Sequence, residues 1–204
     1  RAFNQIQNYK KAVPSIFYYN SLCIISDGLD TRVSSLSAPF SRYLAWKSPD
    51  KKENDVLPEM QVMAERMLKK DVLLKLIRYN TVFESEEKKD EKTGLTSLLK
   101  IKKIAAYHQY YAVEKAIKET LRATHAESGD RKVGVVWHTQ GSGKSLTMMF
   151  TVRELYHHQE EFGKYKVVFI TDRVNLQKQL TDTSKSVGFT VKVANSIREL
   201  KELL

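Results

Sequence analysis

A glycine-rich pentapeptide near the middle of the chain, Gly141-Ser142-Gly143-Lys144-Ser145, has the residue types and spacing of a phosphate-binding loop. Glycines let the backbone curl so that successive N–H groups point at one anion, and a following helix adds its positive N-terminal end. The Lys144 ammonium would reach the β- and γ-phosphates, and the Ser145 hydroxyl would hold Mg²⁺. The pentapeptide therefore predicts a site for a nucleoside triphosphate and its metal ion.

The residues on either side of this pentapeptide supply the elements that such a loop requires. Lys132–Trp137 is apolar and partly β-branched, which predicts a short buried strand. After Lys144, apolar residues recur at helical spacing, at Leu146, Met149, Phe150, Val152, Leu155 and Tyr156. His138 replaces the first glycine of the general P-loop pattern. The alternative is a glycine-rich turn between a strand and a helix that binds nothing.

From about residue 100 onward, helical and strand patterns alternate. We expect a helix at Ile101–Ala123, strands at Lys166–Thr171 and Phe189–Ala194, and a helix at Val174–Thr183. Ser196 with Glu199 three residues later predicts a capping box that begins a last helix. This alternation is typical of an α/β fold, a parallel sheet covered by helices, with ligands at the carboxyl ends of the strands.

The first fifty residues predict a mixed α/β region. A helix is expected at Ala2–Lys11, which ends before Pro14. Two strands, a hairpin partner and one further strand should follow, at Ser15–Tyr19, Leu22–Ser26, Thr31–Ser34 and Arg42–Trp46. The Asp27-Gly28 pair predicts the turn of the hairpin.

The segment between these regions predicts a linker, a helix and a loop. Ser48–Asp55 is polar and contains a proline, which is typical of a linker. Pro58–Tyr79 has helical spacing and a stripe of methionines, which predicts core packing. Glu84–Gly94 is highly charged, and we expect it to be an exposed loop.

Composition limits the class of protein. The chain has 204 residues and a net charge of +10, from 34 lysines and arginines against 24 acidic residues, which favours a polyanionic partner such as nucleic acid. No apolar run is long enough to span a bilayer. The single cysteine, Cys23, cannot form an internal disulfide, and we expect it to be a buried structural thiol in a reducing cytoplasm. The chain begins with Arg1 and not Met, so it is interpreted as part of a longer protein.

Four segments together resemble one family. Trp137–Ser145, with the unusual His138, is similar to motif I of the R (restriction, HsdR) subunits of type I restriction–modification enzymes. Ala105–Val113, with its Tyr-His-Gln-Tyr core, and Ile170–Leu176 resemble the Q-motif segment and motif Ia of the same subunits. Gln5 to Tyr9 resembles the Q-x-x-x-Y element that closes the family's PD-(D/E)xK nuclease domain.

The resemblance implies a layout of three parts. Residues 1–55 would end a nuclease domain, 56–99 would form a helical connector with a charged loop, and 100–204 would begin the first RecA-like lobe of a helicase or translocase motor. No D-E-x-H segment, second motor lobe or nuclease acidic cluster is found in the sequence. We therefore expect negligible ATPase and nuclease activity from the 204-residue chain alone.

The resemblance also assigns roles to individual residues. ATP would be bound by Gln109, which would read adenine, and by Thr139, Gln140, Gly141, Ser142, Gly143, Lys144 and Ser145. Lys144 and Ser145 would act in hydrolysis, Ser145 as the Mg²⁺ ligand. Arg173 would contact the DNA backbone, and Gln5 and Tyr9 would support the nuclease site.

The function implied for the intact protein is an ATP-dependent DNA translocase and endonuclease. Its partners would be double-stranded DNA and the modification (methyltransferase) and specificity subunits of the restriction complex, with no membrane involved. Two alternatives stay open at this point. One is a superfamily 2 DNA helicase without restriction activity, and the other is a non-catalytic fragment that binds nucleotide and DNA.

Overall fold

The computed structural model describes residues 1–50, 52, 56–89, 94, 96–125, 127–158, 160 and 163–204. Its residues form two compact units, Arg1–Tyr111 and Ala112–Leu204. The predicted division into parts at residues 1–55, 56–99 and 100–204 follows the family's domains and stays a prediction. The predicted linker at Ser48–Asp55 falls largely outside the described residues.

The first unit begins with a helix packed on a hairpin. Helix α1 (Ala2–Ala12) confirms the predicted helix, and strands β1 (Cys23–Ser26) and β2 (Thr31–Ser34) confirm the hairpin. The turn is held by the Asp27 carboxylate, which accepts bonds from the amides of Leu29 (3.0 Å) and Asp30 (2.9 Å). One face of α1, with Phe3 and Ile6, packs on a core of three buried residues, Cys23, Ile25 and Tyr43.

Two strands predicted near this hairpin are not formed. Ser15–Tyr19 is wrong as a strand, because Pro14–Phe17 is a 3₁₀ helix with proline at its start, where the missing N–H has no helical partner to lose. Arg42–Trp46 contributes a single antiparallel bridge, Leu44 to Val33, after a short 3₁₀ turn at Phe40–Arg42.

The single helix predicted at Pro58–Tyr79 is interrupted. It forms helix α2 (Glu59–Val62), a π-helical turn (Met63–Met67) and helix α3 (Lys70–Arg78). The interruption falls at Lys69, whose extended ψ of 137° ends one helical segment and precedes the next. Met63 and Met67 are buried, which confirms the predicted packing role for two methionines of the stripe, whereas Met60 is exposed.

A long antiparallel hairpin replaces the predicted charged loop and the start of the next helix. Strand β3 (Thr81–Lys89) pairs with strand β4 (Thr96–Ile104), so Glu84–Lys89 is strand and not loop; residues 90–93 and 95 lie outside the described part. Helix α4 (Tyr107–Thr124) consequently begins six residues later than the predicted Ile101. The apolar spacing of Ile101 and Ile104 also suits a strand, and the nine-residue ladder to β3 favours it.

The second unit contains the glycine loop, defined here as Gly141–Ser145, and the helices α5 (Lys144–His157), α6 (Val174–Ser186) and α7 (Ile197–Leu203). Helices α5 and α6 confirm the predictions and pack against each other, with Met149, Phe150 and Leu180 buried. Helix α7 begins at the predicted cap, where the Ser196 hydroxyl accepts the Glu199 amide at 3.1 Å.

The predicted strands of the second unit, Lys132–Trp137, Lys166–Thr171 and Phe189–Ala194, are not assigned as strands, and both sheets among the described residues are antiparallel pairs. A strand exists only through its ladder to a neighbour, and none is formed here. Gly134 also has a φ of 127°, outside the strand region. Ile170 and Trp137 are more than 90% exposed, as expected for apolar strand residues without a covering neighbour. Within the described part of the chain, no helix is long and apolar enough to cross a membrane.

Candidate nucleotide-binding site

The backbone of the glycine loop has the curled form that the sequence predicts. Gly141 and Gly143 have φ of 78° and 80°, a left-handed conformation that costs other residues about 1–2 kcal/mol. Nothing lies within 4 Å of the place where a side chain on Gly141 would begin. Glycine is therefore required at this position by the backbone conformation and not by crowding.

Helix α5 begins at Lys144, within the glycine loop, and no side chain caps its N-terminal end. Gly143 is the N-cap residue, no side chain accepts a cap hydrogen bond, and the first turn has no acidic residue. The first amide bonded within the helix is that of Thr147, to the Gly143 carbonyl at 3.0 Å. By contrast, helix α7 is capped by Ser196 and has Glu199 in its first turn. The start of α5 thus offers amide donors and positive dipole to an anion from outside the chain.

The Lys144 side chain folds back across the loop. Its Nζ donates to the carbonyl oxygens of His138 (3.0 Å) and Thr139 (2.9 Å), and the Ser142 amide also approaches the Thr139 oxygen at 3.4 Å. Thr139, Gln140 and Lys144 are exposed, and an ammonium group has three donors, so Lys144 can turn toward a phosphate without unfolding the loop. This arrangement places one mobile positive charge beside the helix amides.

A cavity of about 480 Å³ opens beside the loop, between α5 and α6. Ser145 lines it together with Asp172, and its apolar wall consists of Met148, Ile170, Leu176 and Leu180. The serine that the sequence predicts as a Mg²⁺ ligand therefore shares a cavity with a carboxylate that the sequence analysis did not assign. The signal for Asp172 was its place at the end of the predicted strand Lys166–Thr171, the edge where ligands bind in parallel sheets.

Arg173 lies at the N-terminal end of helix α6. It is the N-cap residue, and its carbonyl accepts the amides of Leu176 and Gln177 at 3.1 Å. Its guanidinium is 3.7 Å from the Asp172 carboxylate, and both side chains are more than 75% exposed, so this ion pair contributes little to stability. The guanidinium can exchange this pairing for a phosphate, as the predicted DNA contact requires.

Gln109 has a structural role that the sequence analysis did not identify. Its side-chain oxygen accepts the Ala106 amide at 2.9 Å, so Gln109 caps the start of its own helix α4 as the fourth residue of a capping box does. The side chain is almost fully buried in the first unit. The signal in the sequence was a glutamine three residues after Ala106, the residue before the helix, which is one half of a capping box. Its predicted role in reading adenine stays a prediction.

Gln5 and Tyr9 lie on one face of α1, as their spacing predicts. The Gln5 side-chain amide donates to the Tyr9 hydroxyl at 2.8 Å on the exposed side of the helix. The pair is thus preformed and accessible, and its support of a nuclease site stays a prediction. Both residues belong to the first unit, whereas the glycine loop and Arg173 belong to the second.

Two family descriptions match successive parts of the chain. Residues 1–42 match the N terminus of type I restriction enzyme R proteins, and residues 108–204 match the SWI2/SNF2 ATPase family. The second match indicates a P-loop helicase-like region that includes the glycine loop, although the residues described by the structure form no parallel sheet. No solved structure matches the chain.

Curated relatives cover nearly all of the chain. The HindI type I restriction enzyme endonuclease subunit of Haemophilus influenzae is 43% identical over 190 residues, which is 91% of this chain and 17% of that protein. The putative MjaIXP endonuclease subunit of Methanocaldococcus jannaschii is 32% identical over the whole chain and 20% of its own length. The chain spans about a fifth of the length of these relatives. It belongs to the family of type I restriction enzyme R subunits, also called endonuclease subunits.

Proposed function

We propose that this chain is the part of an ATP-dependent DNA translocase and endonuclease that binds ATP and contacts DNA. The whole protein would be a type I site-specific deoxyribonuclease. The observation that carries the proposal is the start of helix α5, where a left-handed Gly143 leaves the first amides uncapped and Lys144 lies across the loop. An anion is the ligand that such an end favours most. The names of the relatives, type I restriction enzyme endonuclease subunits, support the wider activity.

The residues of the loop fit ATP and Mg²⁺. The amides from Gly141 to Lys144 would surround the phosphates, flanked by Thr139 and Gln140, and the Lys144 ammonium would neutralise their charge. Ser145 would hold Mg²⁺ at the mouth of the cavity that it shares with Asp172. When bound, Mg²⁺ supplies charge neutralisation at the phosphate oxygens. The contribution of these side chains to hydrolysis is positioning and electrostatic stabilisation, because phosphoryl transfer requires little covalent chemistry from a protein.

We assign Gln109 two roles that use different atoms. Its side-chain oxygen holds the start of α4, as the geometry shows. In its proposed role at adenine, its amide nitrogen would donate to N7, an acceptor that guanine also has. Gln5 and Tyr9, joined by their exposed hydrogen bond, would support a nuclease site completed by residues other than those of this chain.

We further propose that Lys132–Trp137, Lys166–Thr171 and Phe189–Ala194 become strands of a parallel, RecA-like sheet. The support is their apolar composition, the exposure of Trp137 and Ile170, and the fivefold greater length of the relatives, which provides chain for neighbouring strands. The glycine loop and Asp172 would then both lie at carboxyl ends of strands, where α/β sheets bind ligands.

Double-stranded DNA is the proposed substrate and track. Arg173 at the start of α6 and the net charge of +10 favour sequence-independent, salt-sensitive contact with the phosphate backbone. The proposed setting is a restriction complex in the cytoplasm, with modification and specificity subunits as partners, and the names of the relatives, type I restriction enzyme endonuclease subunits, support it. A superfamily 2 helicase without restriction is disfavoured by the match of residues 1–42 to the R protein N terminus.

The test uses the whole subunit encoded around this chain, assembled with its modification and specificity subunits. We expect ATP hydrolysis that depends on DNA carrying the recognition site, displacement of a triplex-forming strand downstream of that site, and cleavage at a distance. The Lys144→Ala variant should lose all three while still assembling. Triplex displacement that Lys144→Ala leaves unchanged would refute the proposal. The 204-residue chain by itself should show negligible turnover, and rapid hydrolysis by it would contradict that expectation.

A further inference from the structure

Two tyrosines project from the turn after the first 3₁₀ helix. Tyr19 is 97% exposed and Tyr18 is 73% exposed. The turn is closed by a bond from the Asn20 amide to the Phe17 carbonyl at 3.1 Å, and Phe17 is the only partly buried member of this stretch. Anchoring Phe17 inward leaves the next two rings directed outward. Adjacent aromatic rings that are exposed to solvent mark a site of interaction.

Two basic residues neighbour this turn, one through a hydrogen bond and the other along the chain. The Lys102 ammonium, from strand β4, donates to the carbonyl oxygen of Asn20 at 3.3 Å, which places it one residue from Tyr19. Lys11 is exposed at the end of α1, shortly before the 3₁₀ helix. The first 26 residues contain three basic residues and no acidic one. On the hairpin, Glu84 is already paired with Lys103.

From this combination we propose that the Tyr18–Tyr19 turn is a stacking platform for unpaired bases of a DNA strand, with Lys11 and Lys102 facing its phosphates. Lys102 has two further donors after its bond to Asn20. Unpaired bases are the favoured ligand because a duplex keeps its base faces stacked, whereas an exposed ring can stack on any free base. The inference rests on the DNA-handling part of the proposed function and adds a contact to a single strand by residues of the first unit.

A protein ligand is the competing occupant for the same rings. An apolar face of a protein would pack on the two tyrosine rings, and its affinity would not depend on the lysines. A nucleic acid strand requires both, because stacking fixes the bases and the ammonium groups neutralise phosphates. The two ligands therefore predict different responses to salt and to the removal of bases.

The test measures the fluorescence anisotropy of a labelled 12-nucleotide oligothymidylate as the 204-residue chain is added, in the absence of ATP. We expect Tyr19→Ala to weaken binding at least about fivefold, the low end for loss of one stacked base, and Tyr19→Phe to retain wild-type affinity. An abasic oligonucleotide of the same length should bind wild type and Tyr19→Ala equally. The matched control is Leu29→Ala, which removes an 87% exposed apolar side chain from the acidic turn between Asp27 and Asp30 and should change nothing.

Salt dependence separates the roles of rings and lysines. Lys11→Gln should reduce the slope of log affinity against log salt by about 0.7, whereas Tyr19→Ala should lower affinity without changing the slope. Lys144→Ala should leave oligonucleotide binding intact, so that failure of the nucleotide proposal and failure of this one give different results. Equal binding by wild type and a Tyr18→Ala, Tyr19→Ala double variant would overturn the proposal. The proposal would also be overturned, in favour of a protein partner, by a different result. In that result the wild-type chain self-associates in sedimentation, the double variant does not, and the two bind DNA equally.

Discussion

Replacing Gly141 by alanine tests whether the shape of the glycine loop serves phosphate binding. Gly141 has a φ of 78°, and a side-chain carbon there would meet nothing within 4 Å, so the only penalty is the left-handed backbone. That penalty is about 1–2 kcal/mol for an L-residue. Bound phosphate holds the loop in this conformation, so the penalty should appear as an affinity loss of about 5- to 30-fold.

The assay is titration of a fluorescent ATP analogue into the chain, with urea unfolding as a parallel measurement. Gly188→Ala is the matched control, because Gly188 has a φ of 84°, equally open space and a position outside the cavity lining. It should lower the free energy of unfolding by a similar amount and leave nucleotide affinity unchanged. If Gly141→Ala binds nucleotide as tightly as wild type, or if Gly188→Ala loses as much affinity, the loop conformation is not used for phosphate binding.

Two further predictions concern stability. Ala106, the residue before helix α4, cannot accept a capping hydrogen bond, although Gln109 already supplies the other half of a capping box. Ala106→Ser should therefore raise the free energy of unfolding, measured in urea, by about 1 kcal/mol. A destabilised variant would contradict the assigned cap. Burial raises the pKa of Tyr43 to about 12 and also raises the pKa of its hydrogen-bonded neighbour Cys23. Because folding favours the neutral forms, their contribution is fully present below the unfolded-state values and is lost as pH rises through the folded ones. Unfolding free energy should therefore fall more steeply between about pH 10 and 12 in wild type than in Tyr43→Phe, and identical slopes would contradict this assignment.

Local sequence signals predicted the elements that depend on local interactions. Helices α1, α5 and α6 follow from apolar spacing, and the Ser196 cap follows from two residues three apart. The left-handed glycines of the loop also follow, because only glycine adopts that conformation at little cost.

The errors have a common physical cause, which is pairing between distant residues. Glu84–Lys89 is charged enough for a loop, and Ile101–Ile104 has spacing that suits a helix, yet both become strand. The first segment pairs with Thr96–Ile101 and the second with Thr81–Glu84. The reverse holds for Lys132–Trp137, whose composition suits a strand but which has no neighbour to form a ladder among the described residues. A sequence pattern reports the surface an element can bury and not whether its partner is present.

For the candidate site, the sequence predicted the loop residues and missed the uses of Gln109 and Asp172. The family resemblance assigned Gln109 to the binding of adenine. Its hydrogen bond to the Ala106 amide depends on where helix α4 begins, and that boundary lies later than predicted because strand β4 precedes it. Asp172 could be placed at the end of a predicted strand, but its position in one cavity with Ser145 requires the packing of α5 on α6.

The most direct test of the account is calorimetric titration of MgATP into the wild-type chain and into Lys144→Ala. Lys144 is exposed, and its ammonium group donates to the carbonyl oxygens of His138 and Thr139. Replacement by alanine should therefore change the free energy of unfolding by less than about 1 kcal/mol. Loss of a charged hydrogen bond to phosphate, about 1.5–3 kcal/mol, predicts ATP affinity at least tenfold weaker in the variant. Equal ATP affinity in two equally folded chains would contradict the claim that this loop grips a triphosphate.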